Sequence, residues 1–162
     1  MSLLKRKQLR LKGYDYSQNG AYHITICTKD KEQILCNIVG DGLCAVPKTE
    51  LTDIGKTVEK SILHINGYPD VSVDKYAVMP DHVHILISIC NKNAGKTDID
   101  IPEIIKRFKS YTANSFGDEL WQRSYNDHII RGQADYDETW QYIDENPLKW
   151  NLKKTKGCNL NG

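Results

Sequence analysis

The 162-residue chain has no apolar run of the roughly 18 residues that a bilayer-spanning helix needs, so no membrane partner is expected. Its opening, MSLLKRKQLRLK, is too broken by Lys and Arg to form the apolar centre of a signal peptide. It has no internal repeat and no low-complexity tract. Cysteine is unpatterned: five residues, at 27, 36, 44, 90 and 158, with no C-x-x-C pair. That argues against a disulfide framework and a cysteine zinc site, and for free thiols in a reducing compartment, the cytoplasm. No G-x-x-x-x-G-K-[ST] loop is present to cradle a nucleoside triphosphate. A large excess of one charge is also missing, with 22 Lys and Arg against 21 Asp and Glu.

What is present is ordinary for a globular protein: 40% hydrophobic and 27% charged residues, in a length suited to one domain over 1–162. The charges are unevenly placed. Lys5, Arg6, Lys7, Arg10 and Lys12 form a basic N-terminal segment without an acid. Lys149, Lys153, Lys154 and Lys156 make a second basic tail, over about 149–162, and acids gather between Asp135 and Glu145. Such segments suit nucleic-acid phosphates, or are simply solvated surface.

Gly20 to Thr28 alternates, with Tyr22, Ile24 and Ile26 on one face and His23, Thr25 and Cys27 on the other, and reads as a strand. Ile34 to Val39 is a short continuation, and 43–46 a candidate brief strand. Leu51 to Ile65 is a helix, capped by Thr52 or Asp53 and ended by Gly67 and Pro69. Val71 to Met79 and His82 to Ile89, joined by Pro80-Asp81, form an antiparallel hairpin. Pro102 opens a helix to Phe116, Arg123 to Arg131 is a fourth strand, and Asp135 to Asn146 is a last helix stopped by Pro147. The order implies an α+β fold: a ferredoxin-like antiparallel sheet, helices on one face, and an extra C-terminal helix.

The sharpest motif is MPDHVHILI. On a strand His82 and His84 share a face while Val83, Ile85 and Ile87 turn to the core. Two adjacent imidazoles can grip a divalent metal, or stand as two surface histidines. A third ligand is needed, and Asp81, Asp127, His128, Asp144, Glu145 and Asn146 are candidates that spacing does not separate. The second motif is WQYIDENP. On a helix Tyr142 and Asn146 share a face. A phenol can be a covalent nucleophile, or an ordinary packing ring.

These motifs, in this order with WQRSYNDHIIR between them, resemble the single-tyrosine transposases of the insertion-sequence-200-like superfamily, and most of all their REP-associated branch. The resemblance runs from about Arg10 to Trp150, with LKGYDYSQNGAYHITICT similar to the opening strand of that group. It implies a DNA transposase that cleaves and rejoins single-stranded hairpin DNA by metal-dependent transesterification through a 5′-phosphotyrosine. His82 and His84 match the family's metal-binding pair and Tyr142 its nucleophile, carried on the C-terminal helix. Asn146 stands where insertion-sequence relatives carry a glutamine ligand, with the same amide on a shorter arm. The implied cofactor is Mg²⁺ or Mn²⁺, and histidine ligands favour Mn²⁺.

Asp127 and His128 would orient a ligand or touch DNA. Lys5, Arg6, Arg10, Lys12, Arg123 and Lys149 would hold phosphates, and Tyr14, Tyr16, Trp121 and Trp150 would stack bases, the alternative for each being packing or solvated surface. Tyr111 and Tyr125 are lesser candidates for the nucleophile. The resemblance leaves a monomer and a homodimer both open. Three other readings compete: a non-catalytic ferredoxin-like nucleic-acid-binding domain, a domesticated transposase that only binds, and a water-using metal hydrolase. The aromatic RNP stretch of an ordinary RRM is missing.

Overall fold

A computed structural model describes residues 11–40, 47–117 and 119–158. The candidates Lys5, Arg6 and Arg10 and the expected short strand at 43–46 lie outside the described residues. Four strands form the main sheet: β1 (Gly20–Cys27), β4 (Val71–Val78), β5 (His82–Ile89) and β6 (Asn126–Ile129). Their order is β4-β5-β1-β6, every neighbouring pair antiparallel. With α1 (Asp53–His64) between β1 and β4, and α2 (Ile101–Phe116) between β5 and β6, this is the split βαββαβ arrangement of a ferredoxin-like sheet. The long helix α3 (Gln133–Cys158) follows.

The alternation read in the sequence decides the two faces. Tyr22, Ile24 and Ile26 of β1 and Val83, Ile85 and Ile87 of β5 are fully buried on the face covered by α1 and α2. Val58 and Ile62 of α1 and Ile104, Ile105 and Phe108 of α2 complete that core. Each helix starts on a side-chain cap: Thr52 accepts from the Gly55 N–H at 3.1 Å, and Asp100 from the Glu103 N–H at 2.9 Å. α3 lies across the other face, against β4, β5 and the short strand β2 (Cys36–Val39).

Three expectations need correction. The segment after β1 does not extend it: β2 (Cys36–Val39) pairs with β3 (Lys48–Leu51) in a separate two-stranded sheet. The last helix does not stop at Pro147 but runs through it to Cys158. An internal proline removes one helical hydrogen bond and costs about 3 kcal/mol. Trp150, one turn further on, packs against Cys36, Ile38 and Met79, and Asn151 is buried, so tertiary packing carries the helix onward. Finally, Tyr16 and Trp121 are core residues. Trp121 stacks on Phe108 at 5.5 Å and donates its indole N–H to Thr112 at 2.7 Å, which leaves no open ring face for a base.

Candidate active site

The register of β1 on β5 sets the site. Thr25 pairs with His84, Cys27 with His82 and His23 with Leu86, so all six side chains lie on the α3 face. On the other side His23 pairs with His128 of β6, adding a fourth imidazole to that face.

His82 Nδ1 lies 2.6 Å from Asp81 Oδ1. A carboxylate only accepts, so this nitrogen is the donor and the ring turns its Nε2 toward His84. His84 Nδ1 lies 3.1 Å from Thr25 Oγ1 and 3.0 Å from His23 Nε2, both able to accept its proton. The two Nε2 atoms then face each other at 3.1 Å. Nitrogens on one metal at roughly 2.0–2.1 Å, in tetrahedral or octahedral positions, stand roughly 2.9–3.4 Å apart. The donor set therefore fits a shared divalent cation. Burial, then the neighbouring His82 and His23, lowers the His84 pKa to about 3, with a hydrogen bond to Asn146 opposing the shift. His84 is thus neutral and its nitrogen available at ordinary pH. Among the described residues no group of three His, Cys, Asp or Glu side chains could hold a metal ion, and the amide within reach of the pair is on α3.

α3 supplies that amide and the phenol. The Tyr142 ring lies 5.3 Å from the His84 ring and 6.0 Å from that of His23, centroid to centroid. Tyr142 is 44% exposed, so a macromolecular substrate can reach it. One turn on, Asn146 Nδ2 donates to the Tyr142 carbonyl at 2.8 Å, which leaves its oxygen for the histidine side. Lys149 Nζ lies 5.3 Å from the Tyr142 ring centroid and places a positive charge beside the phenol. Trp150 stands 6.2 Å from the His82 ring.

His82, His84, Tyr142, Asn146 and Lys149 therefore converge. His128 joins them at the margin, exposed and hydrogen-bonded to Asp135 at 2.9 Å. Asp127 is not brought there. It pairs with Ile24 and so points to the opposite face, one carboxylate oxygen buried without a hydrogen-bond partner. Arg123 is exposed beyond α2, near the end of β1 that carries the site, while Lys12 lies before the other end. Of the competing tyrosines, Tyr125 is in the core, and Tyr111 is on α2, across the sheet.

Sequence reasoning missed His23. Burial, then the nearby His128, lowers its pKa to about 4, with Asp135 opposing. It is the neutral partner that turns the His84 ring. Its parity opposite Ile24 and Ile26 was visible, but its contact with His84 depends on strand register.

Comparison with known proteins finds the family described as "Transposase IS200 like" matching residues 16–146. A protein of Haemophilus influenzae, described only as uncharacterized, is 32% identical and matches over 90% of this chain and 89% of its own. The ISDra2 transposase TnpA of Deinococcus radiodurans is 29% identical over 70% of this chain and 75% of its own. In fold, the chain is similar to a solved REP-associated tyrosine transposase bound to a REP hairpin. The TM-score is 0.64 at 20% identity, over 86% of this chain and 73% of the other.

Proposed function

The chain belongs to the IS200-like transposase family, and from that premise we propose that it cleaves and rejoins single-stranded hairpin DNA, with Tyr142 as nucleophile. The observation that carries the reading is the convergence on one face of two imidazoles, their Nε2 atoms 3.1 Å apart, with an accessible phenol on the facing helix. REP-type hairpins are the favoured substrate class, because the structurally similar transposase holds one.

His82, His84 and the Asn146 amide would hold the divalent cation, Mn²⁺ or Mg²⁺. Such a cation supplies Lewis acidity to a scissile phosphate. Asp81 keeps the His82 proton on Nδ1, and Thr25 with His23 does the same for His84. Lys149 draws the phosphate toward the phenol. Tyr142 Oη attacks phosphorus and gives its proton to water, the P–O3′ bond breaks, and the 3′ oxygen takes a proton from water and leaves as a 3′-OH. The new bond is a 5′-phosphotyrosine that keeps the phosphodiester energy, so a second 3′-OH reverses the step without a nucleoside triphosphate. One copy of the chain supplies every named group, so a homodimer is not required for chemistry. Among the described residues no helix is long and apolar enough to cross a membrane. The protein is expected where its DNA is, in the cytoplasm.

The test uses hairpin single strands labelled at the 5′ or 3′ end, with Mn²⁺, and the Tyr142→Phe variant. The 3′ label should move with the protein and the 5′ label should leave with a free 3′-OH. Tyr142→Phe should reduce adduct formation by about a thousandfold or more. Cleavage without an adduct, unchanged in Tyr142→Phe, would instead mean a water-using nuclease. Tight binding without cleavage would mean a binding module.

A further inference from the structure

β4 carries one irregularity. Its pairing with β5 steps from Val73↔Ile87 to Lys75↔Leu86, which leaves Asp74 as an extra residue. In a regular strand, consecutive side chains point to opposite faces. The bulge turns Asp74 and Lys75 to the same side, toward α3.

Both are used there. Asp74 accepts hydrogen bonds from Ser72 at 2.9 Å, from Ser88, and from the Tyr136 hydroxyl of α3 at 2.7 Å. Lys75 Nζ donates to Asp144 Oδ1 at 2.6 Å and lies 5.2 Å from the Trp140 ring centroid. At about 100° per residue, Ile143 points to the sheet, and it is buried. Trp140 and Asp144 then lie on one flank of the helix, Tyr142 and Asn146 on the other. A cavity of about 280 Å³, lined by Leu51, Lys75, Tyr76, Ile143, Asp144 and Pro147, lies beside the Lys75 flank. Apolar packing is incomplete there, and polar bonds do the fastening.

We propose that Lys75 is a positioning residue that sets the roll of α3 about Ile143, and so brings Tyr142 and Asn146 to the histidine pair. It does this from the far flank of the helix, without touching DNA. The inference rests on the reading of Tyr142 as nucleophile. It also assigns the bulge a purpose, because without it one of Asp74 and Lys75 would turn into the core. A misplacement of about 1 Å at a reacting centre can cost about a hundredfold in rate.

The experiment compares Lys75→Met, Asp144→Asn and the charge swap Lys75→Asp with Asp144→Lys. Three quantities are read: single-turnover adduct formation at saturating hairpin DNA and Mn²⁺, hairpin affinity across salt concentrations, and amide hydrogen exchange without DNA or metal. Either single variant should slow adduct formation about tenfold or more, leave hairpin affinity and its salt slope within about twofold, and speed exchange at residues 140–146 but not in α2. The swap should recover most of the rate. Asp144 is exposed, so its variant keeps the test open should Lys75→Met fold poorly. Wild-type rates in both single variants would overturn the proposal. So would a loss confined to affinity with a shallower salt slope, which would make Lys75 a phosphate contact. The exchange measurement reads α3 alone, so it judges the fastening even if Tyr142→Phe shows that the nucleophile lies elsewhere.

Discussion

Under α1 and α2 the sheet presents Tyr22, Ile24, Ile26, Val83, Ile85 and Ile87, all fully buried. Under α3 the same two strands present His23, Thr25, His82 and His84, with His84 hydrogen-bonded to His23 and Thr25 and facing His82 at 3.1 Å. The helices differ in the same way. α1 buries Val58 and Ile62, and α2 buries Ile101, Ile104, Ile105 and Phe108. α3 leaves Trp140, Tyr142, Leu148 and Leu152 exposed and is held through Asp74, Lys75 and the packing of Ile143 and Trp150. Burying apolar area is the main source of folding free energy, at about 25 cal/mol per Å². Stability is therefore concentrated on the first face. The second face gives up packing for imidazoles, an amide and a phenol whose positions matter more than their burial.

Substitution on the first face should show its effect in stability and leave the chemistry alone. Ile62→Ala removes a fully buried side chain and should cost about 3 kcal/mol in urea unfolding. Adduct formation per folded molecule should be unchanged. A matching loss of rate would break the comparison.

Acid probes the second face. The pKa values of His23 and His84 lie at about 4 and about 3, below the 6.5 of free histidine, because burial disfavours the charged form. The unfolded chain therefore binds more protons below pH 6.5, and stability falls as pH drops through that value toward the folded pKa values. Both histidines stay neutral in the folded chain over this range while both take up protons in the unfolded chain, so metal-free protein should lose about 3 kcal/mol between pH 6.5 and pH 5. Denaturant midpoints in chelator should show this, and a variant with His23→Gln should show a smaller loss.

The first face was largely legible from the sequence. Alternation placed β1, β4 and β5, helical spacing and caps placed α1 and α2, and the Pro80-Asp81 turn fixed the hairpin. The candidate site was legible where it is local: His82 with His84, and Tyr142 with Asn146, each share an element. It was not legible where it depends on tertiary placement. His23 meets His84 only through register, and Asp127 falls on the wrong face for the same reason. The continuation past Pro147 depends on what Trp150 meets. The bulge at Asp74 has no glycine to mark it, and the need for it lies in α3.

The most direct test uses two neighbouring residues of one strand, His84 and Ile85, which point to opposite faces. His84→Ala and Ile85→Ala would each be measured for melting temperature and for Mn²⁺-dependent adduct formation per folded molecule. The account predicts a crossed result. His84→Ala should melt within a few degrees of wild type and lose adduct formation by about a hundredfold or more. Ile85→Ala should lose about 3 kcal/mol of stability and form adducts at the wild-type rate. Two variants that fell together in both measurements, or a His84→Ala protein that still formed adducts, would contradict it.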